Sequence, residues 1–435
     1  MAQTLAPGSA TSADLKITLQ DALVRAHKYG TQIQTATIAT LVARENRAQA
    51  RAAALPSLNA LNQFIYTEGN GTPSGVFVAN DGVHVYNEQA VVHEELLSLV
   101  RRGEIRAAAA SVAVAEAKAG IAARGLDLTV IQDYYAIASA TRRLGNVRTS
   151  LHEAEQFLQI TQDQERGGEA AHSDTIKAQI QVQQRQRDFQ DARLNVDKAK
   201  IALSVLIFPS LQQNYEIVDD LQQLAILPTL QEATGQAAAT NPTLGAARAS
   251  VTEAKLGVSV AKYAYLPSFG LDFFYGIDAN QFAVNSDLTQ SSGRSTQPNY
   301  LVENRQNLGY SAMATLNVPI WNWGSIHSKV KQASLREQQA ELDLTTSKKQ
   351  LQADVASSHA EAETALSQIQ TLRSSRDLSE ESLRLTLLRY KSGEATALEV
   401  VDAQTTATQA RTAYDDGLLR YRLALATLQN LTGTY

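Results

Sequence analysis

The sequence predicts a mainly helical protein with a small β part: long coiled-coil helices plus four strands in one chain. Three observations carry this. Two remote stretches repeat one another in order. Each repeat passes through a Leu-Pro-Ser tripeptide into residues that alternate apolar and polar. Finally, no proline lies from 74 to 208, nor from 320 to the end, so very long helices can run uninterrupted.

The duplication rests on two anchors. "TLQDA" starts at Thr18 and "TLQEA" at Thr229, while "LPS" starts at Leu55 and Leu266; both offsets are 211 (229 − 18 and 266 − 55). Further on, "RGGEAAHSDTIKAQIQ" from Arg166 matches "KSGEATALEVVDAQTT" from Lys391 at an offset of 225 (391 − 166). The difference of 14 residues places an insertion in the second copy, and the polar "NSDLTQSSGRSTQPN" is the place for it. The expected organisation is a first structural repeat over 14–210 with its strand pair in 58–89, a linker over 211–228, and a second repeat over 229–432 with its strand pair in 268–320.

Within each repeat the elements follow from local chemistry. A helix leads to Pro56 or Pro267, where the missing N–H and the restricted preceding residue end it. Strands come next. Phe269, Leu271, Phe273, Tyr275 and Ile277 fall on one face, against Gly270, Asp272, Gly276 and Asp278, with Phe274 the exception. The return segment places Leu308, Tyr310, Ala312, Ala314, Leu316, Val318 and Ile320 against Gly309, Ser311, Thr315 and Asn317. In the first copy "NQFIYT" and "VFVANDGVHVY" flank the turn-rich "EGNGTPSG". A long helix from about Val91 to Arg166 follows, with Val130, Ile137, Leu144, Leu151 and Leu158 stepping by seven and Ala140, Val147 and Ala154 three further on. At 1.5 Å per residue its length is roughly 110 Å. The chain turns at Gly167-Gly168, or at Gly393 in the second copy, and returns as another helix.

Composition excludes several classes. The 435 residues are 44% hydrophobic and 19% charged, which suits a folded chain. A net charge of −5 with no basic stripe argues against nucleic acid. With no cysteine there is no disulfide and no thiolate metal site, and the histidines at 27, 84, 93, 152, 172, 327 and 359 include no pair at metal-ligand spacing. No nucleophile elbow or phosphate loop occurs, so no catalytic residue, cofactor or metal is expected and the chain reads as no enzyme. No apolar run reaches the ~18 residues of a transmembrane helix. The start, "MAQTLAPGSATSADL", has neither the charged nor the apolar region of a signal peptide, which fits a cytosolic protein or a mature chain with a fresh initiator Met.

Four strands pose a choice. They form a small soluble sheet capping a helical hairpin, or they meet a membrane. A membrane barrel needs ~8 strands at least, and an open edge in lipid leaves backbone groups unsatisfied. In the second case chains must pool their strands: two give eight, three give twelve. Trp321 and Trp323, the only tryptophans, stand at a strand-to-helix junction, where an interfacial aromatic girdle would sit.

Four motifs stand in order on the duplicated frame: "LPS" before each strand pair, "NPTL" at Asn241, "VPIWNWG" closing the last strand, and "RYKSGEATALEVVDAQTTATQAR" opening the last helix. In these, and over about Asp14 to Gly433, the sequence resembles the TolC family of outer-membrane efflux proteins. The resemblance implies a homotrimer whose strands share a 12-stranded transmembrane β-barrel, continued by an α-barrel of coiled-coil helices across the periplasm. It implies a passive exit duct in the outer membrane, bathed in outer-membrane lipid and gated at the periplasmic helix tips, for tripartite efflux or type I secretion. The partners would be a periplasmic adaptor and an inner-membrane RND or ABC transporter. This placement requires the mature-chain reading of the N-terminus. The rival is a soluble coiled-coil scaffold or a periplasmic adaptor, though an adaptor carries one helical hairpin rather than two.

The resemblance also assigns residues. Family members carry an acidic constriction six and nine residues after the second turn's glycine, where Glu399 and Asp402 stand relative to Gly393. Being i, i+3, the two share a helix face, and a trimer would gather six carboxylates, raising some of their pKa values and favouring cations. The plainer alternative is a pair of exposed acids near a helix start, favourable to its dipole. Asp174 and Tyr390 match a polar clasp that closes relatives; a basic residue found two after the glycine in some of them is Ala395 here. Lys177 stands in the first copy where Asp402 stands in the second. The turns Gly167, Gly168, Glu169 and Gly393, Glu394 are the expected adaptor contacts, and Trp321 and Trp323 the expected membrane-interface aromatics.

Overall fold

The computed structural model describes residues 15–66, 84–212, 214–280 and 308–434. The chain start, the turn at 68–75, the strand residues 76–83 and the insertion at 285–299 lie outside the described residues, as does the side chain of Asp278. The elements run β1 (Leu15–Ile17), α1 (Leu19–Tyr29), α2 (Thr31–Ala52), β2 (Ser57–Tyr66), β3 (His84–Leu97), α3 (Leu99–Gly167) and α4 (His172–Ile207). The same series then recurs as β4 (Tyr215–Ile217), α5 (Leu230–Thr240), α6 (Pro242–Tyr263), β5 (Ser268–Asn280), β6 (Leu308–Asn317), α7 (Ser325–Lys391) and α8 (Ala397–Thr432).

Equivalent residues make equivalent bonds in the two series. Thr18 with Asp21, and Thr229 with Glu232, form capping boxes at the starts of α1 and α5. Their side chains and backbones exchange hydrogen bonds, which satisfies donors that a helix start leaves free. Before each Pro-Ser, Ala54 and Leu55 donate to Arg51 and Ala52, and Tyr265 and Leu266 donate to Lys262 and Tyr263, each bond between 2.9 and 3.1 Å.

The chain divides into two compact units that do not coincide with the repeats. One comprises the described residues of Met1–Thr40, Ala115–Ala247 and Asp343–Tyr435; the other comprises Leu41–Val114 and Arg248–Leu342. In the first, β1 and β4 pair in parallel, and Tyr134 donates to the carbonyls of Ile17 and Val218 beside them. Around this pair Leu126, Val130, Ile131, Ile137, Leu203, Ile207 and Leu221 form the main core.

The helices of this unit bury heptad seams. On α8, Ala397, Val400, Gln404, Ala407, Leu418, Tyr421, Leu425, Leu428 and Thr432 are buried at steps of three and four or their sums. Arg411 stands in the same seam, where it meets Glu153 at 2.9 Å and Glu380 at 2.9 Å. The seam on α3 differs from the expected one. Val130, Ile137 and Ala154 are buried and Thr161 continues the second row, but Ala140, Leu144, Val147, Leu151 and Leu158 are only half-buried, while Ser150 and Phe157, each one residue before an expected leucine, are buried instead.

The second unit holds a four-stranded antiparallel sheet in the order β2-β3-β5-β6. Its second strand, β3, continues through Val91 to Leu97, so α3 starts at Leu99, later than the expected Val91. Val91 and Val92 face Asn59 and Leu58 on one side and Phe274 and Phe273 on the other. Pairing on both sides decides in favour of strand for a run whose composition suits either state. A bulge between Glu94 and Leu97 shifts the register before the β3–β5 ladder closes at Leu97 and Phe269.

Register joins the two apolar faces into one. Phe273 pairs with Ala312, Tyr275 with Tyr310 and Ile277 with Leu308, so the alternating residues of β5 and β6 share a side. Leu58 and Val92, then Ala60 and Ala90, extend those rows across β2 and β3. Asn62, Glu88 and Glu94 interrupt the apolar side. The opposite side carries Asn59, Gln63, Asn87, Gln89 and a cross-strand pair of His93 Nδ1 with Asp272 Oδ1 at 2.5 Å. In the single chain the apolar side is uncovered: Leu58 is 72% exposed, Tyr310 77% and Leu316 63%.

Gly276 permits the β3–β5 contact that joins the two hairpins. Its φ is +154°, and a Cβ there would lie 2.1 Å from the Glu88 carbonyl oxygen and 2.7 Å from Gln89 Cα. Gly276→Ala should therefore destabilise the sheet by about 1–3 kcal/mol or more, read as a lower thermal midpoint. Gly309→Ala, where a Cβ meets nothing within 4 Å, should leave the midpoint unchanged.

Candidate functional site

The residues singled out in the two turns fall within one unit, at the ends of α3 and α7 and the starts of α4 and α8. Both turns are the same motif. Gly168 N donates to Glu165 O at 3.0 Å and Glu169 N to Gln164 O at 2.8 Å; Gly393 N donates to Tyr390 O at 3.1 Å and Glu394 N to Arg389 O at 2.8 Å. These are Schellman turns, and they need a left-handed residue after the helix. Gly168 (φ +82°) and Gly393 (φ +77°) supply it without the Cβ penalty. Gly167 is the last residue of α3, and Glu169 and Glu394 follow the two left-handed glycines.

A small core lies behind the turns. Phe157, Ala178, Tyr390, Ala397 and Val400 are buried together, drawing one residue or more from each of α3, α4, α7 and α8. Tyr390 is 5% exposed and meets Phe157 edge-on with centroids 5.1 Å apart. Its hydroxyl donates to Thr161 Oγ1 at 3.2 Å, and its carbonyl accepts from Gln164 Nε2 at 3.2 Å. Asp174 instead pairs with Lys177 at 3.3 Å. The two residues expected to form a clasp are therefore not joined within the chain. Tyr390 stands seven residues after the buried Leu383, and that heptad position turns its ring into the core.

Glu399 and Asp402 are both exposed, on the opposite side of α8 from buried Ala397, Val400 and Gln404. Glu399 belongs to a capping box. Thr396 donates from N and from Oγ1 to Glu399 Oε1, both at 3.2 Å, and Glu399 N donates to Thr396 Oγ1 at 3.3 Å. Arg389 Nη1 reaches Glu399 Oε2 at 3.4 Å, and its Nη2 donates to Glu394 O at 2.9 Å. The Thr396 backbone N–H, then its hydroxyl and Arg389, hold the Glu399 carboxyl below the usual carboxylate range. In the single chain its nearest groups are donors, while the increase expected from crowded acids concerns carboxylates gathered from three chains. Arg389 was missed in the sequence, where ten residues and a turn separate it from Glu399. A cation at the third-last seat of a Schellman helix was the available signal.

In the other unit, Trp321 and Trp323 follow β6 just before α7. They are 75% and 89% exposed, with rings edge-to-face at 5.6 Å. Trp323 holds φ +53°, followed by Gly324 at φ +80°. A bulky residue in the left-handed region costs about 1–3 kcal/mol. Val318 and Ile320 are exposed next to them at 50% and 89%. Among the described residues there is no group of three or more His, Cys, Asp or Glu able to hold a metal ion. No helix among them is long and apolar enough to cross a membrane.

Comparison with known proteins bears on the second repeat and on the fold. Residues 233–434 match the family model described as outer membrane efflux protein. No curated protein matches the sequence. The fold is similar to that of the Campylobacter jejuni CmeC outer membrane channel, with a TM-score of 0.82 at 16% identity over 95% of this chain and 85% of that one. It is similar to the outer-membrane channel OprN (0.78, 16%, 96% and 90%) and to the open state of the Neisseria gonorrhoeae MtrE outer membrane channel (0.76, 22%, 95% and 88%).

Two outcomes are expected of the turns. Tyr390→Ala should cost about 3–5 kcal/mol and Tyr390→Phe only about 0.5–1.5 kcal/mol, compared by denaturant unfolding. The cap of α8 should also depend on pH. A lowered folded pKa means its stabilisation is complete above the unfolded Glu value of ~4.3 and is lost as pH falls through the lower folded value. Amide exchange in the first turn of α8 should therefore speed up, relative to the helix interior, only on such acidification.

Proposed function

Since residues 233–434 belong to the outer membrane efflux protein family and the whole chain has the fold of solved outer-membrane channels, we propose that it is an exit duct of the outer membrane, with its long helices in the periplasm. The observation that carries this reading is the sheet. Four strands present an uncovered apolar side and end in two edges, β2 and β6, without a partner among the described residues. An apolar surface of this kind is stable against lipid, and lipid forbids open edges. Joining the β6 edge of one copy to the β2 edge of the next closes the ring, and three copies give twelve strands. The polar side, with Asn59, Gln89, His93 and Asp272, then lines the bore. Trp321 and Trp323 sit where the strands end, as interfacial anchors.

The helices support the same assembly. Ile176, Ile180 and Leu194 on α4, and Leu378, Leu385 and Leu388 on α7, are 45–69% exposed in the single chain. Such rows fit coiled-coil packing between copies. The turns at Gly168 and Gly393 form the periplasmic end, where a periplasmic adaptor docks and through it an inner-membrane RND or ABC transporter delivers cargo. Gating is assigned to these tips. A link from Asp174 to Tyr390 requires Tyr390 to give up Thr161, so the arrangement described is one in which that link is not made.

The test is extraction from outer membranes in detergent followed by mass measurement of the intact oligomer, where three copies are expected. A stable water-soluble monomer would overturn the reading. Conduction is tested in planar bilayers. The double variant Glu399→Ala, Asp402→Ala should lower cation preference, and unchanged selectivity would remove the acidic constriction.

A further inference from the structure

The chain passes four times between the sheet and a helix, and each junction carries the same order of chemistry. An exposed apolar residue adjoins the strand: Leu55 before β2, Leu97 at the end of β3, Leu266 before β5 and Ile320 after β6. An exposed cation stands on the adjoining helix: Arg51 on α2, Arg102 on α3, Lys262 on α6, and Lys329 and Lys331 on α7. Arg51 and Lys262 are 211 residues apart (262 − 51), each four before the leucine of Leu-Pro-Ser, so both repeats keep a cation at that seat.

The positive charge is concentrated at these junctions. The seven residues nearest the sheet on each of α2, α3, α6 and α7 hold in all seven Lys or Arg and one acid, Glu104, in a chain whose net charge is −5. Arg101 is compensated by Glu95 at 3.1 Å and Glu104 at 3.3 Å. Among the described residues the side chains of Arg51, Arg102, Lys262, Lys329 and Lys331 have no ion pair or hydrogen bond. Helix dipoles do not account for them all. A helix start favours acids, yet neither α3 nor α7 has an acid in its first turn, and Arg102 stands in that of α3.

An apolar side chain beside a strand, with a cation one or two turns away, matches the boundary of a bilayer. The apolar group lies at the acyl edge, and the long stem of Lys or Arg carries its charge to the phosphates. Anionic lipid adds about fivefold in affinity per cation near the surface. We propose that Arg51, Arg102, Lys262, Lys329 and Lys331 form a basic collar that binds the phosphates of anionic phospholipids in the leaflet adjoining the helices. The collar rests on the exit-duct reading, which puts the apolar side of the sheet in lipid, and it adds a lipid class to that reading.

The test titrates the detergent-solubilised full-length assembly with phosphatidylglycerol or phosphatidylcholine and counts bound lipid by mass measurement of the intact oligomer. The wild type should prefer phosphatidylglycerol. The quadruple variant Arg51→Gln, Lys262→Gln, Lys329→Gln, Lys331→Gln should bind it at least about tenfold more weakly and bind phosphatidylcholine unchanged. The control Arg193→Gln, Lys198→Gln, Lys348→Gln, Lys349→Gln removes as much charge from exposed residues of the other unit and should alter neither. Equal losses in the two variants overturn the collar, as does a collar variant that still prefers phosphatidylglycerol. Cations that face the bore or the cell wall overturn it too: the collar variant then keeps its lipid and loses anion conductance or sedimentation with peptidoglycan. If the quadruple variant does not assemble, Lys262→Gln and Lys331→Gln decide singly, each expected to lose about fivefold. A wild type that does not insert into bilayers removes the exit-duct reading and the collar with it. One that inserts and ignores headgroup charge removes the collar alone.

Discussion

Backbone hydrogen bonding at a sheet edge is the constraint on which the rest depends. β2 and β6 each turn one row of N–H and C=O groups away from the one partner strand they have among the described residues. In water those groups find solvent; in hydrocarbon they cost several kcal/mol each. The apolar side of the same sheet argues for hydrocarbon, so the edges must be met by strands from elsewhere. The sheet has four strands among the described residues, too few to curl into a ring, and on the exit-duct reading that shortage makes assembly a condition of the fold. Gly276, which lets the backbones of β3 and β5 approach, keeps the four as one block rather than two separate hairpins.

The helical part meets its own constraint by heptad packing. The seam of α8 keeps steps of three and four over its whole length, with alanines, leucines and tyrosines inside. Arg411 is the exception, and two carboxylates from α3 and α7 surround it. Such a charge is costly to bury alone and adds little when paired. Its effect is to fix which helices lie together and in what register.

Duplication has produced two tips with the same backbone and different chemistry. Both turns close with the same pair of hydrogen bonds around a left-handed glycine. Only one carries a capping box at the following helix, and only one carries an arginine across the turn. The backbone motif is fixed by sterics, which leaves the side chains around it free to diverge in charge.

The sequence by itself determined the repeated order of elements, the proline stops, the glycine turns and the alternation in β5 and β6. Each of these is set by residues a few positions apart, whose interactions survive without knowledge of the fold. The tertiary structure decided the rest. Ladder partners on both sides extended β3 past Val91, and packing of the neighbouring helices chose Ser150 and Phe157 on α3 in place of Leu151 and Leu158. Packing against Phe157 buried Tyr390 away from Asp174. The shared apolar side of four strands, and the reach of Arg389 across a turn to Glu399, depend on register and on folding back. Those are distances between residues far apart in the chain, and no local periodicity encodes them.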